Sequence, residues 1–390
     1  MLEKRRWFTD YNVAVFALIF MSVQFMYFEG GAVSIPKVIF MAISPFLLLL
    51  MSPNVSKATI FGMLFWFVTV AMSVIQFGTP RMSTFYYSAL FLLMFNLYYN
   101  LVYINKVFSL DAFLKVIKFV IWAYAICLVV QQAFFLVGLR YMPIVNLMGM
   151  QYYELFRLNS LAIEPSHAAR LLTVYFYAFL KLLEYKIGEA PSISYLWEEH
   201  KWTIVVFLYT MIGIGSGTAF VGLAILAMYF LKRQYVMYVL LFSFAFYMAA
   251  PFIDYEPLNR AMSVFNAALT GDTNLVSETD QSASSRVNII IDTFKYIDLT
   301  DIDTWLGSGI DSWANSDKAI VSAITDYGLI SYLLKLLFFF VCCFTSVFSL
   351  EILMFVLLFS MNVGNIAYGW AALMVFSTIK YFKMNRNDIK

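Results

Sequence analysis

The stretch Phe119-Val-Ile-Trp-Ala-Tyr-Ala-Ile-Cys-Leu-Val-Val130 decides the fold class, because it has no charged side chain and lies within a longer apolar run over 113–138. A hydrocarbon core of about 30 Å needs roughly 20 apolar residues per helix. This run is long enough, so we expect a transmembrane helix. The pattern recurs and predicts about twelve spans. They cover 11–28, 34–52, 58–77, 84–104, 113–138, 166–184, 201–214, 217–231, 235–253, 318–344, 347–362 and 365–382.

The composition of the whole chain agrees with a lipid environment. Its 390 residues are 62% hydrophobic and 13% charged, with a mean hydropathy of +0.77, whereas soluble domains have about 45–50% apolar and about 25% charged residues. This excludes a cytosolic enzyme, a secreted disulfide-bonded domain and a disordered chain. The 26 basic and 24 acidic residues nearly balance and indicate no nucleic-acid partner. The three cysteines, Cys127, Cys342 and Cys343, lie in apolar runs and are typical of helix packing.

The basic residues predict the orientation. With the amino terminus in the cytoplasm, most lysines fall in cytoplasmic segments, and an even number of spans puts both termini there. Lys335 lies within a span and should extend toward the cytoplasm. Six of the ten arginines fall on the outer side instead: Arg81, Arg140, Arg157, Arg170, Arg260 and Arg286. A guanidinium can bind two phosphate oxygens at once, so these arginines indicate either an anion site or local salt bridges.

Two outer loops interrupt the single membrane domain formed by residues 1–390. One covers 139–165; the other covers 254–317 and is longer than a connection requires, which usually indicates function or disorder. Apolar residues at helical spacing predict an amphipathic helix near 286–298, with Ser284 or Ser285 as its N-cap. Such a helix would lie on the outer membrane surface or cover a cavity.

The most unusual local sequence is Arg157-Leu-Asn-Ser-Leu-Ala-Ile-Glu164-Pro-Ser-His167-Ala-Ala-Arg170. Pro165 suits the first position of a helix, and Glu164 or Ser166 could cap it. His167 and Arg170 then share a face one turn in, near a helix terminus that attracts anions. The stretch therefore predicts either a capped helix start with an ion pair or a functional cluster at the outer membrane boundary.

Other candidates are weaker. Ser216 lies between Gly215 and Gly217 and could present a hydroxyl to a ligand, or the glycines could simply let two helices approach. Gly307-Ser-Gly309 could bind an anion through backbone amides, or form a turn. Asp301-Ile-Asp303 has the spacing of a metal-binding pair, although solvated acids explain it better. The sequence has no phosphate-binding loop and no His/Cys cluster, so neither ATP nor zinc is implied.

These residues carry a resemblance to a known family. Arg157 to Ala169, with Glu164-Pro-Ser-His-Ala-Ala, resembles the signature of O-antigen and capsular polysaccharide polymerases of the Wzy type. Ser285-Arg286 followed by Leu306-Gly307-Ser-Gly309 is similar to the pattern shared with O-antigen ligases. So is Ile324-Thr-Asp326-Tyr-Gly328-Leu-Ile, which opens a span. The ligase pattern has a histidine in the long outer loop, and 254–317 contains none, which favours a polymerase.

The resemblance implies an all-α, polytopic, C-type glycosyltransferase in the bacterial inner membrane, with its active site facing the periplasm. It would polymerise undecaprenyl-pyrophosphate-linked repeat units of O-antigen, capsule or exopolysaccharide without metal, nucleotide or other cofactor. Glu164 would be the base and His167 its partner or the alternative base; the substrate ligands would be Arg157, Arg170, Arg286, Ser216, Gly307 and Gly309. The family implies a chain-length regulator and a flippase as partners. The alternatives are a lipid-linked oligosaccharide flippase or other transporter, an O-antigen ligase, and a non-enzymatic assembly scaffold.

Overall fold

The computed structural model describes residues 9–24, 34–75, 82–139, 155, 157–231, scattered positions between 237 and 262, 297–308, 319–364 and 366–386, with backbone only at 82–84 and 319–322. Its helices are α1 Asp10–Ser22, α2 Ile35–Met51, α3 Lys57–Ile75, α4 Met82–Tyr103, α5 Leu110–Leu136, α6 Pro165–Ile187, α7 Ile193–Gly213, α8 Gly217–Tyr229, α9 Ile302–Leu306, α10 Ala319–Cys342, α11 Leu350–Phe359 and α12 Ala367–Met384. The described part contains no strand, so the all-helical prediction is confirmed there.

Two helices form the centre of the bundle. Every residue of 171–180 in α6 and of 367–379 in α12 is buried. The two helices pack against each other, and α1, α4, α5, α7 and α8 surround them. A single apolar cluster includes buried residues from all the long helices. Helices apolar on every side are typical of the interior of a membrane bundle.

The peripheral helices expose apolar faces outward. Phe46 and Leu50 of α2, Phe67 of α3 and Ile126 of α5 are all more than half exposed. Helices α3, α5, the Phe85–Tyr103 part of α4 and the Ala323–Cys342 part of α10 are long and apolar enough to cross a membrane. Exposed apolar surface on this scale indicates lipid contact, so the chain is a membrane-spanning protein; twelve crossings stay a prediction.

Most predicted spans have a helix at the same place, with shifted ends. The glycine turn between the seventh and eighth spans is confirmed: α7 ends at Gly213, α8 begins at Gly217, and Gly215 has a φ of 58°. The expected start of the seventh span at 201 is instead a kink at His200 inside a helix that begins at Ile193. The first span is shorter than expected because Val23 is extended. The ninth span, 235–253, lies largely outside the described residues.

Lysines and hydroxyls satisfy the carbonyls at several helix ends. The buried Lys37 donates to Met21 O at the end of α1 (3.4 Å), and Tyr124 donates to Ser22 O (2.6 Å). Lys380 of α12 donates to Phe340 O and Val341 O at the end of α10. Helix C-termini leave four carbonyls without helical partners, so these bonds explain Lys37 and Lys380 structurally. All three cysteines are buried free thiols, as their apolar surroundings predict.

Candidate functional site

The segment before α6 is buried inside the bundle. Leu158 and Ser160 are completely buried, Asn159 is nearly so, and Gln24 N donates to Leu161 O (2.8 Å). We expected 139–165 to be an outer loop. Residues 158–162 are irregular, but they are buried within the bundle rather than exposed, and the side of the membrane on which they lie stays a prediction. Irregular backbone can be buried in a membrane protein only when neighbouring groups satisfy its amides and carbonyls.

Gln131 of α5 supplies those hydrogen bonds. Its Oε1 accepts from Ser160 N (2.8 Å), and its Nε2 donates to Ser160 O (3.1 Å) and to Asn159 Oδ1 (3.2 Å). Asn159 in turn donates to Ala162 O and Ile163 O, and Ser160 Oγ donates to Tyr124 O. Ser160 has a φ of 50°, a conformation that non-glycine residues rarely adopt. The network therefore fixes the turn from which Glu164 emerges.

Helix α6 begins as predicted. Pro165 is its first residue and Glu164 occupies the N-cap position, but the Glu164 side chain makes no capping hydrogen bond. The carboxylate is 56% exposed and lies 3.8 Å from His167 Nε2, while Ser166 Oγ approaches the same oxygen at 3.4 Å. Glu164 is therefore free to meet a ligand from outside the bundle, with an imidazole beside it.

Tyr368, in the first turn of α12, joins the two basic residues of this cluster. Its ring stacks on His167 with centroids 4.3 Å apart, and its hydroxyl accepts a hydrogen bond from Arg170 Nη1 (2.7 Å). The Nε of Arg170 is buried and has no hydrogen-bond acceptor among the described residues. Glu164, His167, Arg170 and Tyr368 are called the mouth cluster below.

The other predicted arginines are placed differently. Arg157 is half-buried at the opposite end of the buried segment, seven residues from Glu164. Arg286 and Gly309 lie outside the described residues, as do Ser284, Ser285 and nearly all of the expected helix 286–298. The described positions 297 and 298 are not helical, and the rest of the helix stays a prediction.

Ser216 caps α8 at the same end of the bundle as the mouth cluster. Its Oγ accepts from Thr218 N (3.3 Å). Helices α6 and α8 run in parallel: Gly222 lies so close to Thr173 that a Cβ there would overlap its Oγ1, and Tyr229 bonds to Leu180 O and Glu184. Gly222 pairs with Thr173 and Tyr229 with Leu180, and the same pairing continued toward the start of both helices places Ser216 level with His167. The close approach of the two helices thus requires glycine at position 222. Ser216 stays a candidate ligand.

Two motifs far apart in the sequence meet where α9 packs on α10. Gly307 N donates to Asp303 O (2.7 Å) and Ser308 N donates to Thr325 O (2.6 Å), so the two described amides of the predicted anion nest, those of Gly307 and Ser308, already bind protein carbonyls. Asp301 caps α9 by accepting from Asp303 N, which explains the spacing of these acids. No group of three or more potential metal ligands occurs among the described residues.

Helix α10 is interrupted beside this contact. Gly328 has a φ of 84°, and a Cβ there would overlap the backbone at Trp305 and Leu306. Glycine is required because only it combines this conformation with so close an approach. The stretches Leu306-Gly307-Ser and Ile324 to Ile330 thus form one packing unit.

A cavity of about 210 Å³ lies between α3, α4, α10 and the loop that joins α11 to α12. Its polar lining residues are Thr69, Ser88, Asp326, Tyr327, Ser331, Tyr332, Lys335 and Asn362. Lys335 Nζ donates to Asn362 Oδ1 (2.5 Å) in the loop that precedes α12. In the predicted orientation α10 ends in the cytoplasm, so this contact directs Lys335 away from the side that we expected. Gly364 lines the cavity and Tyr368 follows one turn later, so the cavity and the mouth cluster flank the start of α12.

Sequence reasoning missed three of these residues. Tyr368 lies in an apolar, aromatic span and has no charge to distinguish it, and Asn362 is one polar residue in a connection. Gln131 lies within an apolar span, and its bonds to the irregular backbone at Asn159 and Ser160 were not predicted. The available signal was a polar side chain deep within an apolar span, as for Gln131, but such a side chain does not reveal which residue it bonds to.

No protein-family model matches the chain, and no curated protein or solved structure is similar to it. The resemblance to polysaccharide polymerases therefore rests on the motifs quoted above.

Proposed function

We propose that the chain is a polysaccharide polymerase of the bacterial inner membrane with its active site facing the periplasm. It would transfer a glycan from undecaprenyl pyrophosphate to the terminal sugar of a second lipid-linked repeat unit. The observation that carries the proposal is the mouth cluster: an accessible carboxylate, an imidazole 3.8 Å away and a guanidinium held by Tyr368 at the start of α6. These are a base, its partner and a ligand for a leaving phosphate.

Each group has a defined task in that reaction. Glu164 accepts the proton of the acceptor sugar hydroxyl, whose oxygen forms the new bond to the anomeric carbon of the donor. The bond from that carbon to the pyrophosphate oxygen breaks, and the pyrophosphate leaves with the electron pair. Arg170, with Arg157 and Arg286, would stabilise this charge, an effect of about 3–4 kcal/mol for a good donor in comparable sites. His167 would orient Glu164 or share its proton.

The test uses purified protein and purified lipid-linked repeat units, with no nucleotide or divalent metal. We expect wild-type protein to give a ladder of products. Glu164→Gln should lower the rate by about a hundredfold or more, because a positioned general base contributes at least that much. The matched control is Glu189→Gln, at an exposed glutamate just beyond the other end of α6. Long ladders from Glu164→Gln at the wild-type rate would refute its catalytic role.

A transporter of lipid-linked oligosaccharides is the second candidate. One observation favours it: α10 is interrupted at Gly328 beside a cavity that contains Lys335 and Asp326, and broken helices with polar sites occur in transporters. Loss of a transporter would leave repeat units on the cytoplasmic leaflet, and the purified protein would give no ladder. Loss of a polymerase would leave single repeat units on the periplasmic side.

A further inference from the structure

The cavity beside α12 contains Lys335, whose described hydrogen-bond partner is neutral and which forms no ion pair with the Asp326 carboxylate in the same lining. Lys335 Nζ bonds to the amide oxygen of Asn362 and lies about 6 Å from the ring centres of Phe65 (5.9 Å) and Phe339 (6.0 Å). No ion pair to Lys335 occurs within the described ranges. An ammonium group has three donors, and a cation within a membrane helix is costly unless it pairs or serves a function.

We propose that this cavity binds one anionic sugar group, a sugar phosphate or a sugar carboxylate, through Lys335. The ammonium pairs with the charge, and the neighbouring hydroxyls of Ser88 and Ser331 hydrogen-bond to the sugar hydroxyls. The identification of the ligand as part of a lipid-linked glycan rests on the proposed function, whereas the presence of an anion site does not.

The size of the cavity limits the ligand. Pockets for drug-sized molecules have volumes of about 300–1,000 Å³, and this one has about 210 Å³. A whole repeat unit is too large, but one charged group with part of its sugar fits. The site therefore holds one end or one branch of a glycan while the rest lies outside it.

The walls of the cavity are held in place. Thr69 and Ser331 hydrogen-bond to each other across α3 and α10, and Ser88 accepts from Trp66 (3.1 Å). The interruption at Gly328, against which α9 packs, sets the direction of the α10 turn that carries Asp326 and Tyr327. A preformed wall lowers the entropic cost of binding.

The position of the cavity connects it to the mouth cluster. Asn362 and Gly364 line it, and Tyr368 of the same chain segment contacts His167 and Arg170. A ligand bound at Lys335 therefore lies across the start of α12 from Glu164. This arrangement suits an enzyme that must hold two substrates near one base.

The test measures binding of inorganic pyrophosphate and of glucuronate to the purified full chain by isothermal titration calorimetry. The variants are Lys335→Met, which removes the charge, and Lys335→Arg, which keeps it. The matched control is Lys380→Met, at a lysine that bonds to carbonyls at the other end of α10. Size-exclusion chromatography checks that each variant is folded.

We expect wild-type protein and Lys380→Met to bind at least one of the two anions. Lys335→Met should bind it about ten- to a hundredfold more weakly, as expected for loss of a charge-assisted hydrogen bond, and Lys335→Arg should restore most of the affinity. Binding of pyrophosphate alone assigns the site to phosphate; binding of glucuronate alone assigns it to an acidic sugar. The absence of binding to wild-type protein, or equal binding to Lys335→Met, overturns the inference.

The ladder assay separates this inference from the proposed function. If Lys335-dependent binding is present but wild-type protein forms no ladder, the polymerase proposal fails and the anion site stands. If Lys335→Met forms the ladder at the wild-type rate and binds both anions normally, the anion site fails and the polymerase proposal stands.

Discussion

Replacing Gln131 should release the buried segment that positions Glu164. Gln131→Leu keeps the size of the side chain but removes its three hydrogen bonds to Asn159 and Ser160. At about 0.5–1.5 kcal/mol for each of the three net bonds, with a further penalty of about 1–3 kcal/mol for a buried amide left without an acceptor, the expected loss is about 2.5–7.5 kcal/mol. Stabilities of about 5–15 kcal/mol are usual, so we expect this segment to open while the bundle persists.

Labelling of one introduced cysteine measures that opening. Ala162→Cys replaces a residue that is 2% exposed, and the three native cysteines are buried, so a maleimide should label folded Ala162→Cys slowly. Adding Gln131→Leu should speed labelling by at least tenfold. The control is Gln132→Leu, because Gln132 bonds to Tyr209 and, among the described residues of 139–165, hydrogen-bonds to Leu155 O alone, at 3.4 Å. Equal protection of Ala162→Cys with and without Gln131 would refute this account of the segment.

Two further substitutions test the mouth cluster and the break in α10. Tyr368→Phe keeps the ring on His167 but removes the acceptor of Arg170, so ladder formation should slow by about tenfold, the equivalent of one charged hydrogen bond of about 1.5 kcal/mol; a wild-type rate would contradict a role for that bond. Gly328→Ala should destabilise the protein by about 1–3 kcal/mol in denaturant titrations. Gly217→Ala, where a Cβ meets nothing within 4 Å, should have little effect, and equal stability of the two variants would contradict the packing of α9 on α10.

The helices could be predicted from the sequence because hydropathy acts locally. A run such as 113–138 must be helical in lipid, since no other single segment satisfies its own backbone, and α5 occupies 110–136. Helix ends were harder because they depend on partners distant in sequence. The early end of α1 at Ser22 is stabilised by Tyr124 and Lys37, which lie on two other helices.

The mouth cluster could be predicted in part, because some of its features are also local in the sequence. Pro165 and the spacing of His167 and Arg170 are local features, so the start of α6 and its shared face follow from the sequence. The burial of the segment before α6 could not be predicted from the sequence. It depends on Gln131, which is some thirty residues away, and a glutamine in a span has many possible partners. Tyr368 comes from the last helix, and only the packing of α12 on α6 brings it to His167.

The partners of the charged groups differ between the two ends of the bundle. At the other end of the bundle, Lys186 pairs with Asp111 and Lys181 with Glu184, and Lys380 bonds to carbonyls of α10. The two ion pairs balance their own charges, and the carbonyls at the C-terminal end of α10 carry the partial negative charge of a helix end, which stabilises Lys380. Around the start of α12, by contrast, Arg170 donates to a tyrosine hydroxyl and Lys335 to an asparagine amide. Neutral acceptors do not balance a desolvated cation, so an anionic substrate that reaches both groups from the same side would complete them.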